Sequence, residues 1–322
     1  MKPRSLWRLA IAVAFATGAT GATAIPLACG ARSDLGSLDR GFGEDAGGDA
    51  PDAKRDSPAD APTDAPRDAE PDVFVRDCDP EAGVTYVYLV TEQNEIFSFD
   101  PADNVLELHG TLDCPSGGPT PYSMAVDRKG TAYVLFDDGH LYRVSLADAS
   151  CDPTDYPVGQ LDFNVFGMGF ATDEAGPDEA LYVAEINPNG PSDGLGRIDL
   201  ETLELAFVGQ FSETFGQKIE LTGTGDGRLF GYFLSQAGGG GSLVEIDKET
   251  AQILSSTALS VGPPGSALAF AFWGGDFYIF TTQAGGIGTD VTRYRPSDGS
   301  LVVVASLSTT VVGAGVSTCA PQ

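Results

Sequence analysis

Short runs of apolar and β-branched residues, broken by Gly, Asp, Asn and Pro, recur along about the last three quarters of the chain with a nearly fixed period. An aromatic residue marks each run: Tyr88 in VYLV, Tyr133 in AYVLF, Tyr182 in LYVAE, Phe230 in LFGYF and Tyr278 in FYIFT, at separations of 45, 49, 48 and 48. Runs of this length and composition between turn residues predict strands, and a repeat period near 45 residues predicts one supersecondary unit per repeat. A second strand follows each aromatic run, with its apolar anchor at Phe99, Val144, Ile198, Ile246 and Tyr294. A third ends in a bulky apolar residue: LELHGTL at Leu112, YPVGQL at Leu161, AFVGQF at Phe211, SSTAL at Leu259 and VVVASL at Leu307. Upstream of four aromatic runs lies a further strand of small and apolar residues: SMAVD, GMGFA, IELTG and ALAFAF. The first unit lacks this leader, while the C-terminus carries an unmatched one, VVGAGVS over 311–317. Two incomplete ends of complementary type predict that the last segment completes the first unit, which leaves no open sheet edge around a closed ring.

This organisation resembles a β-propeller. It implies an all-β fold of five four-stranded antiparallel blades, loosely similar to YVTN- and NHL-like repeats, over roughly residues 79–322. Turns such as VDRKGTAYV at Asp127–Gly130 resemble the hairpins of those repeats, and no signature of a characterised family accompanies them. Equal spacing through five units is not what a two-sheet sandwich would produce. The small residues Ala125, Gly167, Gly169, Ala269, Ala314 and Gly315 on the leading strands suit a crowded axis where blades converge. The chain has five cysteines. Ring closure brings Cys78, just before the first strand, to Cys319, just after the last, and leaves Cys114 to pair with Cys151 by elimination, although four cysteines admit three connectivities.

The N-terminus is of a different kind. Lys2, Arg4 and Arg8 precede the short apolar run LAIAVAFA (Leu9 to Ala16), followed by small residues, which reads as a secretory signal; the run is about half of the ~20 residues a bilayer span needs. Two processing readings stand. Ala22-Thr23-Ala24 has the form of an ordinary cleavage site, releasing a secreted or periplasmic protein. The segment Ile25-Pro26-Leu27-Ala28-Cys29-Gly30 resembles a lipoprotein lipobox, with residues 1–28 as signal and Cys29 as the acylated residue, although Pro26 stands where Leu is usual. The odd cysteine count favours lipidation, because removing Cys29 leaves four that can pair. In lipoproteins, Gly30 after the cysteine implies release from the inner membrane toward the outer membrane or cell surface. Residues 29–77 then form a linker: between Glu44 and Asp77 there are 11 acidic against four basic residues, frequent Pro and few large apolar side chains, a composition of a solvated, self-repelling spacer. The folded domain spans 78–322.

Charge narrows the partners. The chain carries −28 formally, and residues 79–322 carry 9 basic against 33 acidic residues. No basic stripe exists to neutralise phosphates, so nucleic acid is excluded and the membrane is met only through the lipid anchor. The same field would steer cationic partners.

Catalytic chemistry finds little support. The two histidines, His109 and His140, lack the Cys, His or carboxylate spacing of a zinc site. No G-x-S-x-G elbow is present, and the run Gly238 to Gly241 lacks the Lys-Ser/Thr ending of a phosphate loop. The resemblance makes glycoside hydrolysis the activity to weigh, since some five-bladed propellers cleave glycans with carboxylates on innermost strands. Only Glu220 lies within such a strand, with Asp127 at the tail of another, whereas the chemistry needs two carboxylates about 5 to 10 Å apart.

A binding face remains. The loops after each aromatic run, TEQNE, FDDGH, EINPNGPSDG, SQAGGGG and TQAGGIGTD, place Glu92, Asp137, Asp138, Glu185, Asn187, Asn189, Asp193, Gln236, Gln283 and Asp290 at one end of the ring. Amides and carboxylates suit sugar hydroxyls or a hard cation; calcium is the ion they would take, without a calcium motif, and no cofactor is called for. Trp273 adjoins a turn and reads as a wedge between blades ahead of a stacking platform. The sequence thus describes an exported monomeric binding module for a glycan, peptide or envelope protein, with a carbohydrate-active enzyme and a structural scaffold as the other readings.

Overall fold

A computed structural model describes Cys78 and residues 84–173, 178–187, 190, 192, 194–213, 218–234, 240–261, 264–283 and 287–322, without the side chains of 264–266 and 283. The signal segment, Cys29 and the linker lie outside the described residues.

Among the described residues, twenty strands form five four-stranded antiparallel sheets. The first blade contains β1 (Val87–Thr91), β2 (Glu95–Asp100) and β3 (Val105–Thr111); the second β4 (Pro121–Val126), β5 (Thr131–Phe136), β6 (Leu141–Ser145) and β7 (Cys151–Pro153). The third has β8 (Phe166–Thr172), β9 (Glu179–Glu185), β10 (Leu195–Ile198) and β11 (Leu205–Gly209). The fourth has β12 (Ile219–Gly223), β13 (Leu229–Leu234), β14 (Gly241–Ile246) and β15 (Ile253–Leu259). In the fifth are β16 (Pro264–Trp273), β17 (Asp276–Gln283), β18 (Thr289–Arg295) and β19 (Ser300–Leu307), and β20 (Val311–Gly315) ends the chain's strands.

Ring closure follows the sequence pattern. β20 pairs antiparallel with β1, Tyr88 opposite Gly315 and Leu89 opposite Ala314, so the C-terminal strand is the innermost strand of the first blade. The innermost strands touch in the order β20, β4, β8, β12, β16 and back to β20. The repeat period is one register of pairing: Val87 faces Phe99, Ala132 faces Val144, Leu181 faces Ile198, Leu229 faces Ile246 and Phe277 faces Tyr294, in each case the residue before the aromatic against the second-strand anchor. Cores form between consecutive blades. Phe99, Phe280 and Ala314 are buried together where the fifth blade meets the first, and Phe230, Phe270 and Phe277 where the fourth meets the fifth. Trp273 is a wedge at the closing junction, its indole Nε1 donating to the Thr85 carbonyl at 2.6 Å.

Glycines set the spacing at the axis. A Cβ at Gly167 would lie 2.0 Å from the Ile219 carbonyl oxygen and one at Gly223 2.1 Å from that of Phe170, so β8 and β12 touch backbone to backbone. Gly313 and Gly315 stand in the same relation to β4.

Both disulfides have the expected partners, Cys78 with Cys319 and Cys114 with Cys151. They correspond to an oxidising, extracytoplasmic compartment. Among the described residues no helix is long and apolar enough to cross a membrane.

One strand departs from expectation. The outer strand of the second blade is Cys151–Pro153, and YPVGQL is not a strand: Gln160–Asp162 forms a 3-10 turn with positive φ at Leu161 and Asp162. Cys151 is held by Cys114, and Pro153, which has no N–H, ends the ladder. The Val-Gly-Gln shared with AFVGQF reflects no common role, because the Gln160 side chain donates to the Leu203 carbonyl and accepts from the Leu205 N–H, tying this segment to the start of β11.

Candidate functional site

At the end of the ring where the inner strands begin, a cavity of about 60 Å³ lies on the axis. Every blade contributes a wall: Val312 from the first, Tyr122 from the second, Ile186 from the third, Lys218 and Glu220 from the fourth, Leu268 from the fifth. Period-2 alternation places these side chains. In β12, Ile219 and Leu221 turn to the core between the third and fourth blades, which sends Glu220 to the other face of the strand.

Glu220 is buried, and its carboxylate joins three blades. It accepts the Ser123 hydroxyl of β4 at 2.8 Å and the Met168 N–H of β8. Burial holds this carboxyl well above the usual carboxylate range, against the lowering effects of Ser123, Lys218 and the Met168 N–H. Lys218 is pushed below the usual lysine range by burial, with the Glu220 charge opposing. The Tyr122 phenol is raised, by burial first and then by Glu220. Because the folded-state pKa of Glu220 is raised above its unfolded value, the group's contribution to stability is fully present below the ordinary carboxylate pKa and is lost as pH rises through the raised value. Glu220→Gln is accordingly expected to melt above the parent at pH 8, by about 1 to 2 kcal/mol, and level with it near pH 4. A melting series across that range in which the two curves stay parallel would contradict a raised carboxyl.

The other end of the axis is crossed by the C-terminal tail. Cys319 is bonded to Cys78 of the first blade's approach, Thr318 accepts from Arg128 Nε at 2.7 Å and donates to Glu179 at 2.8 Å, Gly274 N–H donates to the Pro321 carbonyl, and Gly225 N–H donates to the Gln322 side chain. Arg128 is also buried against Thr172, at 2.8 Å, and its own N–H donates to Glu179. This tail therefore contacts all five blades, and the axis is approached from the end that carries the cavity.

Those of the sequence-predicted loop residues that are described, Glu92, Asp137, Asp138, Glu185, Asn187 and Asp290, sit at that same end. Asp137 is exposed, accepts from the Thr120 N–H and hydroxyl, and fixes the approach to β4. Asp138 is exposed and pairs with His140 Nδ1 at 2.9 Å, while Asp290 accepts the Ser306 hydroxyl at 2.7 Å. Glu92 is exposed, its N–H bonded to the Thr310 carbonyl; Glu185 is buried at the end of β9, and Asn187 is half-buried. Asn189, Asp193, Gln236 and the Gln283 side chain lie outside the described residues. Among the described residues no three His, Cys, Asp or Glu side chains come together as metal ligands. Of the cavity walls, sequence reading singled out Glu220 alone; Tyr122 and Lys218 were not singled out, nor was Ser123, which bonds to Glu220 from the adjoining inner strand, although Glu220's place in an inner strand points to neighbours one step along the adjoining inner strands.

Fold and site together define a five-bladed β-propeller with an axial cavity at one end. No family model and no curated protein matches the chain. Among solved structures it is similar to a chain of the nidogen/laminin complex, at 10% identity and a TM-score of 0.46 over 71% of this chain and 97% of that one. Regucalcin from Agrobacterium tumefaciens, described as a calcium-binding protein, is 16% identical with a TM-score of 0.37, covering 71% of each chain. Hydrazine synthase of Kuenenia stuttgartiensis is 13% identical at a TM-score of 0.39, over 69% of this chain and 67% of its own.

Proposed function

We propose that this protein is an exported, non-catalytic binding module that takes its ligand at the axial mouth. The observation that carries the reading is the cavity to which all five blades contribute, since such a junction is where a ring of repeats brings convergent side chains to a single concave site. The described cavity walls offer one carboxylate, Glu220, already committed to Ser123 and Met168; a glycosidase would need a second about 5 to 10 Å away. The full chain applied to glycan and peptide arrays, beside a Val312→Trp variant that fills the cavity, tests this. Binding by the parent that the variant loses is the expected result. Ligands retained equally by both would move the site elsewhere, and cleavage of an arrayed glycan that Glu220→Gln abolishes would restore the enzyme.

The anchor is part of the same proposal. Lipidation at Cys29 with residues 30–77 as a spacer would hold the propeller away from an outer membrane, reaching on the order of 5 Å times the square root of the residue number if the linker is flexible. Radiolabelled palmitate is expected in the parent and absent from Cys29→Ala, which should move from the membrane fraction to the soluble fraction; label retained by the variant excludes Cys29.

A further inference from the structure

We infer that the cleft between the fourth and fifth blades is a second ligand site, separate from the axial mouth, and that it takes a small organic amine with an aryl body. The cleft encloses about 490 Å³, within the range of about 300 to 1,000 Å³ in which pockets hold a whole small molecule.

Comparison between the blades sets this cleft apart. Four blades place a tyrosine at the period-marking position, Tyr88, Tyr133, Tyr182 and Tyr278; the fourth blade has Phe230. Three of those tyrosines face an arginine on the next strand: Tyr133 opposite Arg143, Tyr182 opposite Arg197 and Tyr278 opposite Arg293. Tyr88 faces Ser98, and Phe230 faces Glu245. Where three blades carry a cation of their own beside the ring, the fourth presents a carboxylate. The facing wall changes as well. Phe272, Phe277 and Tyr294 stand in one register row across β16, β17 and β18, against Val126, Ala132 and Val144 in the second blade. The other second-strand anchors, Phe99, Val144, Ile198 and Ile246, are buried, whereas Tyr294 is half-buried and lines the cleft. Packing alone is served by the common pattern, so a cleft in which both walls leave it is where function overrides packing.

The lining fixes the ligand's chemistry. Its charged groups are Asp226, Arg228 and Glu245. Asp226 and Arg228 offset each other as an exposed ion pair at 3.1 Å, and the same guanidinium lies over the Phe230 ring, 5.2 Å from its centre. An aromatic face of this cleft thus already takes a cation, as the ring quadrupole favours. Glu245 has no cationic partner among the described residues, and its one hydrogen bond there is from the Ser255 hydroxyl, at 3.5 Å. An ammonium seated beside Glu245 supplies the charge that Arg143, Arg197 and Arg293 supply in their own blades. The hydroxyls of Thr257 and Tyr294, both in the lining, can accept its remaining N–H groups, and its aryl body packs against the Tyr294 ring. A neutral sugar can bond to the same polar atoms but brings no charge to set against Glu245, and an anion is repelled by it.

Isothermal titration calorimetry of the full chain at pH 7, with phenethylamine, 2-phenylethanol, 3-phenylpropanoate and cellobiose, tests the assignment. The amine is expected to bind one to one and about tenfold more tightly than the alcohol of the same shape, with no heat from the carboxylate or cellobiose. Glu245→Arg gives the fourth blade the residue that three others carry, and should lose about tenfold in amine affinity. Tyr294→Ile restores an aliphatic anchor and should lose a similar factor, which keeps the test informative if the first variant folds poorly. Glu107→Arg changes the net charge equally at an exposed position of the first blade and should leave binding unchanged, as should Val312→Trp at the axial cavity. Equal affinity for amine and alcohol overturns the assignment. So does an equal loss in Glu107→Arg and Glu245→Arg, which would show general attraction to an acidic chain. Amine binding abolished by Val312→Trp and untouched by Glu245→Arg places the amine at the axis and overturns the second site. Cellobiose bound in place of the amine and lost in Tyr294→Ile overturns the ligand class, and heat from none of the four overturns the whole. The axial reading is tested separately, by the arrays with Val312→Trp.

Discussion

Gly167→Ala is expected to lose more than about 3 kcal/mol of stability and most of its soluble yield, the largest effect of any single methyl group added to this fold. The added Cβ would lie 2.0 Å from the Ile219 carbonyl oxygen and 2.9 Å from the Glu220 Cα, both backbone atoms of the neighbouring blade's inner strand. No rotamer change relieves that contact. Either β8 and β12 move apart, opening the ring and parting the Met168 N–H from Glu220, or the chain fails to close. Gly117→Ala is the control: φ is 72° there, with nothing within 4 Å, so the cost is confined to backbone strain of about 1 kcal/mol. Thermal unfolding compares the two. Should Gly167→Ala melt within about 2 °C of the parent, the inner strands do not approach as described.

Removing the Cys78–Cys319 bridge, by Cys78→Ser with Cys319→Ser, is expected to cost about 5 kcal/mol, against about 4 for Cys114→Ser with Cys151→Ser. The difference follows from loop length, 241 residues against 37, through the entropy that each cross-link removes from the unfolded chain. The folded state adds to it, since Cys319 holds the tail whose neighbours Thr318, Pro321 and Gln322 bond to the second through fifth blades. Urea titrations of the two double variants rank them; a lower midpoint for the shorter loop would show that the tail and the junction of β20 with β1 hold without their covalent clamp.

Much of this architecture was legible in the chain because strand register has period 2 and blade spacing has a fixed length. The aromatic at the centre of each second strand is preceded by the residue that faces the next strand's anchor, so counting 45 to 49 residues between aromatics counted blades. Closure was legible as well: VVGAGVS lacks a partner within its own repeat and the first repeat lacks a leader, a mismatch that only joining the ends resolves. The second blade's outer strand was not legible. Its ladder consists of Cys151, Asp152 and Pro153, and the Cys114 disulfide rather than local propensity holds it, while a neighbouring segment imitates the expected ending.

The site shows the same division. Sequence placed acidic and amide side chains in loops at one end, because loop position follows from strand order. It had no means of showing that Asp137 would spend its oxygens on Thr120 or Asp290 on Ser306, since those bonds depend on how a turn meets the next segment. Nor did it reveal that Tyr122, Lys218 and Glu220 would meet Ile186, Leu268 and Val312. Those residues belong to five different blades and are separated by as many as 190 positions, so their meeting depends on the rotation between blades. By itself the chain determined a ring of five equal sheets with sealed ends, since periodic burial and unpaired edges are properties of local pattern. Only the tertiary structure decided that the axis is crossed by the tail at one end and hollow at the other, because side-chain volumes at an axis add up only once every blade has taken its place.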